Sequence, residues 1–310
     1  MERSFDAVAF GHTAVDFLAT VPGIPETDTK MEIDSLDIQG GGPAATAAVT
    51  MSRLGLKTAF AGKVGDDIAG SMMLRSLESE GVDVSGTIVE KGGRSQISFI
   101  MVDRATASRT ILWTRGSVSP IGPDEPDFGI IRRSRGLLID SLEPRAALAA
   151  AKTARESGVP VVIDAGTLRE GMMEMLPFCD YIVASSLFAS QISRGGTNDD
   201  ALKIISGFGP KASVITLGGG GCVAMAGGSR IESAAFAVDA VDTTGAGDVF
   251  HGAFLYGVIR GWDVERTMVF SNAVAAIKCR KRGGRAGIPN LGEAMSFLRE
   301  RAPLFDTGAA

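Results

Sequence analysis

The sequence predicts an α/β protein: a doubly wound, mostly parallel sheet flanked by helices, with a small β-sheet lid. Three observations predict this fold. From Gly136 onward, short apolar runs alternate with segments of helical spacing, which is typical of βαβ units. Before residue 115, β-rich segments separated by turns indicate a second, smaller sheet. Residues 241–254 form a glycine-rich turn that leads directly into a helix, an arrangement suited to binding an anion.

The composition indicates one large domain that acts on small molecules. With 310 residues and 45% hydrophobic content, the chain can bury a sizeable core, and we expect a single domain over residues 1–310. The net charge of −5, with acids and bases interspersed, argues against a nucleic-acid partner and against a membrane-binding face. Cys179, Cys222 and Cys279 are too scattered for a disulfide framework or a zinc site. The absence of a secretory or membrane-spanning pattern predicts a cytoplasmic protein.

The first third of the chain predicts a buried strand and a lid. Ala7–Phe10 is an apolar run typical of a strand, and Val15–Val21 with Met31–Ile38 predict a partly exposed hairpin. Further β-rich segments follow at Thr87–Val89, Gln96–Val102 and Thr110–Trp113. Together these segments predict a lid formed by about residues 12–39 and 87–115. The alternative is that they extend the central sheet.

A second glycine-rich turn leads into a helix between these segments. Gly40–Gly42 precede Pro43 and an alanine-rich pattern, and proline suits the first position of a helix. The turn lacks the lysine of a Walker loop and the spacing of a dinucleotide-binding fingerprint. Thr58–Ala61 then predicts a strand, and Asp66 a cap for a helix over Ile68–Glu80.

The second half of the chain alternates regularly between strands and helices. Strands are predicted at Leu137–Ile139, Pro160–Ile163, Tyr181–Val183 and Ser213–Leu217, and helices at Pro144–Ser157, Leu168–Leu176 and Asp199–Phe208. Ligands of such sheets bind beyond the carboxyl ends of the strands, where Asp140 and Asp164 lie.

The stretch 241–254 contains the residues suited to chemistry. Gly245, Ala246 and Gly247 leave the backbone bare at the start of a helix, so that successive N–H groups can close on an anion. Asp248 lies in the first helical turn, where the helix dipole favours its ionised form. A carboxylate beside an anion cradle is what phosphoryl transfer to an alcohol requires. The alternative is an ordinary capped helix whose glycines serve only a tight turn.

The run VDTTGAGDVFHGAF, together with GGGPAATAAV upstream, resembles the two signatures of the ribokinase-like (PfkB) carbohydrate kinases. The nearest likeness is to sulfofructose kinases and ketohexokinase-like members. The resemblance implies that Asp248 is the catalytic base and that Gly245–Gly247 form the anion hole. It also implies that Asp242 and Thr244 lie near the monovalent-cation (K⁺) site that some members have.

The resemblance further implies a sugar site and a nucleotide site. Sugar contacts are expected from Asp16, Gly41, Gly42, Thr46, Asp140 and Arg109. Nucleotide contacts are expected from Ser185, Thr216, Gly218, Gly221, Asn272, Ala276 and Gly284. Thr46 replaces the asparagine of many members, so its hydroxyl lacks the pair of donors that an amide has.

We therefore expect an enzyme that phosphorylates a sugar hydroxyl, with ATP and Mg²⁺ as cofactors. The acids that order magnesium in many members are absent after Tyr181, where the chain reads VASSLF, so Mg²⁺ would depend on the nucleotide phosphates. Rival functions within the enzymes are a nucleoside kinase and a phosphofructokinase-type sugar-phosphate kinase. From another class, the rival is a nucleotide- and sugar-binding regulator without turnover.

Two expectations concern partners. A homodimer is expected to form by pairing two lids, as in many relatives, because the exposed face of a small sheet needs covering. The substrate stays open between a ketohexose-type sugar and an anionic analogue. Its hydroxyl end is expected against Asp16, and any anionic end toward Arg94, Arg109 or Arg115.

Overall fold

A computed structural model describes residues 3–105, 109–302 and 305 of the chain. Its strands are β1 (Ala7–Phe10), β2 (Ala14–Val21), β3 (Ser35–Gly41), β4 (Thr58–Ala61), β5 (Lys63–Gly65), β6 (Ile88–Glu90), β7 (Ile97–Asp103), β8 (Arg109–Thr114), β9 (Leu137–Asp140), β10 (Val161–Ala165), β11 (Tyr181–Ser185), β12 (Ala212–Thr216), β13 (Cys222–Ala226) and β14 (Ser229–Ser233).

The α-helices are α1 (Pro43–Arg53), α2 (Ile68–Ser79), α3 (Gly129–Arg132), α4 (Pro144–Glu156), α5 (Met172–Met175), α6 (Ser186–Ile192), α7 (Asn198–Ser206), α8 (Ala246–Ile259), α9 (Val264–Lys278) and α10 (Leu291–Arg301). Short 3₁₀ turns occur at Leu176–Phe178 and Gly218–Gly220. Within the described residues, no helix is both long enough and apolar enough to cross a membrane.

The central sheet has eight strands in the order β14-β13-β12-β11-β10-β9-β1-β4. Neighbouring strands are parallel from β4 to β12, and β13 and β14 continue the sheet antiparallel. This arrangement confirms the predicted doubly wound, mostly parallel sheet. The antiparallel hairpin at its edge was not predicted, because no strand was assigned to residues 222–233 and Gly218–Gly221 were interpreted as a turn at the nucleotide.

Helices cover both faces of the sheet because side chains alternate along each buried strand. In β1, Ala7 and Ala9 belong to the core beneath α1 and α8–α10, whereas Val8 and Phe10 belong to the core beneath α3–α7. These four side chains are at most 1% exposed. A strand buried on both faces has a continuous apolar sequence, which is why AVAF could be predicted as a strand.

Close packing of α8 on α1 sets the position of the α8 N-terminus. A Cβ atom on Gly252 of α8 would come within 2.7 Å of the Ala47 carbonyl oxygen of α1, so only glycine permits this approach. The buried side of α1 consists largely of alanines, which also allow the two backbones to come close. The glycine-rich start of α8 is thereby held beyond the carboxyl ends of the strands.

A second sheet of four strands, in the order β3-β2-β7-β8, forms the lid. Strand β2 pairs antiparallel with β3 and parallel with β7, and β8 pairs antiparallel with β7. The predicted hairpin and small separate sheet are therefore confirmed. Strand β6 pairs instead with β5 in a sheet of two strands, so residues 88–90 lie outside the lid sheet, contrary to the prediction.

The cap of α2 differs from the prediction by one residue. The N-cap is Asp67, whose carboxylate accepts the N–H of Gly70 at 2.8 Å. The same carboxylate accepts the N–H of Ser95 at 2.9 Å, which ties α2 to the base of the lid. Asp66 accepts the N–H of Gly92 instead. Either aspartate satisfies the local cap preference, and the tertiary contacts, from Asp67 to Ser95 and from Asp66 to Gly92, distinguish them.

Candidate active site

The N-terminus of α8 lies at the carboxyl edge of the central sheet. His251 of α8 lies 3.1 Å from the carbonyl oxygen of Val183 in β11 and 3.5 Å from the carboxylate of Asp164 in β10. Asp164 is the cross-strand neighbour of Asp140 in β9. The structure thus brings the two aspartates at the strand ends close to the start of α8, where the sequence predicted a ligand site.

The start of α8 has the conformation that an anion cradle needs. Gly245 adopts a left-handed conformation (φ 73°) and caps the helix without a side-chain acceptor for its leading N–H groups. A Cβ atom on Gly245 would lie 3.0 Å from the Gly284 carbonyl oxygen, whereas nothing lies within 4 Å of one on Gly247. The cradle is therefore closed on the side of Gly284 and open at Gly247, so a ligand can reach unpaired N–H groups there.

Asp248 lies in the first turn of α8, beside this cradle. Its side chain is half-buried and has no hydrogen-bond partner among the described residues. Burial raises the pKa of Asp248 to about 7; the Asp164 carboxylate adds to the increase and His251 opposes it. A carboxyl group with a pKa near neutrality is suited to accepting a proton from an alcohol.

A cavity of about 390 Å³ opens next to the cradle. Of the residues expected at the nucleotide, those that line it are Thr216, Gly218, Gly221, Asn272 and Ala276. Ala246 and Gly247 also line it, so the cavity and the cradle form one continuous space. Phe236 and Phe250 contribute aromatic surface that the sequence analysis did not single out. A large, mostly apolar cavity that ends at a helix N-terminus suits a nucleotide whose base is buried and whose phosphates meet N–H groups.

Two residues expected at the nucleotide do not line this cavity. The Ser185 hydroxyl donates to the Gly166 carbonyl at 2.7 Å and accepts the N–H of Phe188, so it caps α6. Gly284 lies behind Gly245 instead. Both residues shape the loops around the site, and a direct contact from either to a nucleotide stays a prediction.

Asp16 lies on the lid, next to the di-glycine turn. Burial raises the pKa of Asp16 to about 6, although a hydrogen bond from Ser98 and the nearby Arg285 guanidinium favour the ionised form. A Cβ atom on Gly41 would lie 2.1 Å from an Asp16 carboxylate oxygen, so the absence of a side chain at Gly41 makes room for Asp16. The neighbouring Gly42 is left-handed (φ 89°), which lets the chain turn from β3 into α1.

Asp140 differs from Asp16 because backbone groups already occupy its carboxylate. It accepts the N–H of His12 at 2.7 Å, that of Leu142 at 3.0 Å and that of Ala44 at 3.4 Å. Burial raises the pKa of Asp140 to about 6 despite these bonds. A Cβ atom on Gly11 would lie within 2.6 Å of its carboxylate atoms, so the fit is tight. The carboxylate joins the loop after β1 to the start of α1, and a direct sugar contact stays a prediction.

Arg285, in the loop between α9 and α10, is buried. Its guanidinium donates to the Gly41 carbonyl at 2.8 Å and to the Thr46 hydroxyl at 3.3 Å. Burial lowers the pKa of Arg285 to about 10, well within the range where it stays charged at neutral pH, and the Asp16 carboxylate opposes the decrease. The Thr46 hydroxyl is thus already engaged, and Arg285 supports the di-glycine turn from behind.

Three buried polar atoms near Asp16 have no hydrogen-bond partner among the described residues. They are His12 Nδ1, Thr13 Oγ1 and Gln96 Oε1. Gln96 lies one residue before β7, where the parallel register places Ser98 beside Asp16; alternation along the strand therefore puts Gln96 on the same face. Unpaired buried polar atoms are costly, so a ligand that supplies partners is expected there. The sequence offered no signal for this cluster, because its members become neighbours only when the lid forms.

The lid arginines proposed for an anionic substrate are placed differently from one another. Arg115 pairs with the buried carboxylate of Glu143 and donates to the Leu142 carbonyl at 3.0 Å, so its charge is already balanced. Arg94 is exposed. The side chain of Arg109 lies outside the described residues. Arg169, which the sequence analysis passed over, is exposed and acts with Arg115 to lower the pKa of His12, after burial, to about 4.

The predicted cation site at Asp242 and Thr244 is built around internal bonds. The Asp242 carboxylate accepts the N–H of Thr244 at 2.8 Å and that of Gly283 at 2.7 Å. Burial favours the protonated acid, but these bonds hold the pKa of Asp242 below its usual range. The ammonium group of Lys278 donates to the Asp242 carbonyl at 2.9 Å. These contacts already engage the Asp242 side chain and main chain, so the K⁺ site stays a prediction.

Residues 4–291 match the family model described as pfkB family carbohydrate kinase. The chain belongs to this family. The two stretches that carry the resemblance in the sequence form the cradle and the di-glycine turn beside Asp16. The resemblance to the PfkB carbohydrate kinases is therefore confirmed, and with it the assignment to the phosphotransferases; the nearer likeness to sulfofructose kinases stays a prediction.

Relatives of known name cover nearly the whole chain. An ATP-dependent ribose-1-phosphate kinase of Halopiger xanaduensis is 31% identical over 94% of this chain and 97% of its own length. A fructokinase of Solanum tuberosum is 30% identical over 94% of this chain and 95% of its own length. The structure of Arabidopsis thaliana ribokinase complexed with ribose and ATP superposes with a TM-score of 0.83 at 22% identity, covering 96% of this chain and 99% of that one. The last likeness supports the fold alone.

Proposed function

We propose that this carbohydrate kinase transfers the γ-phosphoryl group of ATP to a sugar hydroxyl, with Asp248 as the general base. The observation that carries the proposal is the position of Asp248: half-buried, unpartnered and adjacent to the open cradle of Gly247 at the end of the nucleotide-sized cavity. The acceptor hydroxyl would lose its proton to the Asp248 carboxylate as its oxygen bonds to the γ-phosphorus. The bond from that phosphorus to the β,γ-bridging oxygen breaks, and ADP leaves.

The start of α8 would stabilise the charge that develops on the transferred group. The N–H of Ala246 already donates to the Thr243 carbonyl at 3.1 Å, so the N–H groups of Gly247 and Asp248, together with the helix dipole, would favour negative charge at this turn. Mg²⁺, when bound, would neutralise part of the negative charge on the nucleotide phosphates. Among the described residues, no group of three His, Cys, Asp or Glu side chains is suited to hold a metal ion, so the nucleotide phosphates would carry the Mg²⁺.

The acceptor side favours a polyhydroxylated molecule. Asp16 offers carboxylate oxygens to hydroxyl donors, the unpaired Gln96 Oε1 offers a further acceptor, and His12 Nδ1 can donate or accept according to its tautomer. Carboxylates bind pairs of hydroxyls well but repel a phosphate at short range. A neutral sugar, such as the fructose named for the relative of Solanum tuberosum, is therefore the first candidate.

One observation favours a sugar phosphate as the second candidate. The exposed guanidinium of Arg169 lies close enough to His12 to lower the pKa of that histidine, and it has no ion pair with a described residue. A phosphate on the far end of the acceptor would find its charge matched there. The relative named as a ribose-1-phosphate kinase supports this candidate and supplies a specific compound to test.

An ADP-release assay with fructose, ribose, ribose 1-phosphate and adenosine tests both candidates. We expect turnover with a neutral sugar that Arg169→Ala leaves unchanged. The second candidate would be established instead if the wild type preferred ribose 1-phosphate and if kcat/KM for this substrate fell at least tenfold in Arg169→Ala. Turnover with adenosine alone, or with none of the four compounds, would contradict the proposed acceptor class. Repeating the assay with and without K⁺ tests the cation prediction.

The lid is proposed to pair with the lid of a second copy. Register places Ile38, Phe17, Phe99 and Leu112 in one row across the four strands, on the face opposite Asp16. Ile38, Phe99 and Leu112 are 49%, 40% and 57% exposed. A contiguous apolar row of this kind on a small sheet is suited to the isologous contact of a two-fold dimer.

A further inference from the structure

The chain has two histidines, and one of them lies directly beneath the anion cradle. His251 is on α8, three residues after Asp248, and is 4% exposed. Its Nδ1 lies 2.5 Å from the Gly247 carbonyl oxygen. Its Nε2 lies 3.1 Å from the Val183 carbonyl oxygen and 3.5 Å from a carboxylate oxygen of Asp164. Both ring nitrogens therefore face oxygen atoms.

These oxygens decide the protonation of the ring. A carbonyl oxygen and an ionised carboxylate only accept hydrogen bonds, and a neutral imidazole has only one N–H to donate. With one proton, the ring would place a bare nitrogen lone pair against a carbonyl oxygen in a buried site, which is unfavourable. We infer that His251 is held as an imidazolium, that it orients the anion hole through Gly247 and that it supplies a positive charge that acts on Asp248. It is a positioning residue, since it acts through these two groups.

The contact with Gly247 reaches the anion hole through one peptide group. The Gly247 carbonyl belongs to the peptide whose N–H is that of Asp248, and in a trans peptide these two groups point in opposite directions. When His251 Nδ1–H donates to the Gly247 carbonyl oxygen, it therefore holds this peptide group so that the N–H of Asp248 points toward the open cradle. Donation to the oxygen also polarises the N–H, which strengthens its bond to an anion.

The charges around Asp248 make this cation effective. The carboxylates that act on Asp248 come from Asp164 on β10, Asp140 on β9 and Asp16 on β2, and all three favour its protonated form. His251 opposes them. Arg285 acts from the loop before α10. The remaining helices packed on α8, namely α1 and α9, contribute mainly apolar residues to that core.

Nitrogen-15 NMR of the histidine rings tests the inference on the wild-type protein. At pH 7 we expect both nitrogens of His251 to give the shifts of an imidazolium. His12 provides the internal contrast: burial, Arg115 and Arg169 lower its pKa to about 4, so its ring should show one protonated and one bare nitrogen. The ring signals that disappear in His251→Asn belong to His251, and those that disappear in His12→Asn belong to His12. A His251 ring with a single proton at pH 7 would overturn the inference.

A kinetic test separates the charge of His251 from its structural role, and it rests on the proposed role of Asp248 as the base. In the pH profile of kcat/KM, His251→Asn should move the acidic limb upward by about one pH unit, because a cation near Asp248 is lost. Asp164→Asn should move the same limb downward, because an anion is lost. A merely structural role would lower activity without moving the limb, and shifts in the same direction would contradict the electrostatic account. The NMR result does not depend on catalysis, so failure of the proposed function and failure of this inference remain distinguishable.

Discussion

The two ends of the site each contain a carboxyl group whose pKa is raised, but they are set up for different tasks. At the transfer end, Asp248 has a pKa of about 7 because burial and neighbouring carboxylates act together, and no described residue occupies its oxygens with a hydrogen bond. At the acceptor end, Asp16 has a pKa of about 6, with a hydrogen bond from Ser98 and an attracting guanidinium on Arg285. The first arrangement leaves a proton acceptor vacant, and the second holds an anion ready to bind hydroxyl groups.

The two ends also differ in how the chain builds them. The cradle and Asp248 come from consecutive residues of one turn and one helix. Asp16 and its surroundings come from β2, the di-glycine turn, the base of β7 and the loop that carries Arg285. A site made from one segment keeps its geometry through local structure alone. The geometry of a site made from four segments changes whenever the lid moves. We therefore expect the chemistry to be set at the first end and the choice of substrate at the second.

Asp248→Asn should show the largest effect. The amide cannot accept the hydroxyl proton, so kcat should fall by about 10²–10⁴-fold, the usual contribution of a general base. ATP binding measured by calorimetry and the thermal midpoint should stay close to those of the wild type, because the amide is nearly isosteric. Near-normal kcat with a verified substrate would show that Asp248 is not the base.

Asp16→Asn should act on the acceptor and spare the nucleotide. Hydrogen bonds to a charged group are worth about 1.5–3 kcal/mol, which corresponds to a loss of roughly 10–150-fold in kcat/KM for the sugar. The KM for ATP should be unchanged, and this contrast with the sugar distinguishes a local loss of contacts from general damage. Equal losses for both substrates would place Asp16 outside a specific acceptor site.

The pH dependence should separate the two carboxyl groups. Asp248 acts as a base only when ionised, so kcat/KM should fall about tenfold per pH unit below its pKa of about 7. Asp16 remains largely ionised until pH approaches about 6, so sugar binding should weaken only at lower pH. Measuring sugar affinity of the Asp248→Asn variant against pH isolates the second titration. A flat rate profile between pH 6 and 8 would contradict the assignment of the base.

The lid surface should give the smallest effect on turnover and a clear effect on assembly. Phe99→Asp with Leu112→Asp places charges in the exposed apolar row, and light scattering should then report half the mass of the wild type. Trp113→Ala is the matched control, because Trp113 is equally exposed but register puts it on the face of Ser98 and Asp16. A monomeric wild type, or an unchanged mass in the double variant, would remove the proposed dimer contact.

Local pattern was sufficient for much of the molecule. The buried strand AVAF, the alternating strands and helices after Gly136 and the cradle at the start of α8 each depend on contiguous residues. The structure contains them, except that the helix predicted over Leu168–Leu176 is reduced to Met172–Met175. The hydrophobic period and the glycine turns report directly on backbone conformation, so no knowledge of distant contacts was needed. The family signatures lie in two such stretches.

Only the tertiary structure decided which groups meet. It chose Asp67 over Asp66 as a cap, placed β6 outside the lid sheet and buried Arg285 behind the di-glycine turn. It also turned both nitrogens of His251 toward oxygen atoms, one of which lies on a strand 68 residues away in the sequence. Hydrogen bonding and burial depend on distances between segments that no local pattern encodes. The protonation states and substrate contacts that they control therefore become visible only in the folded chain.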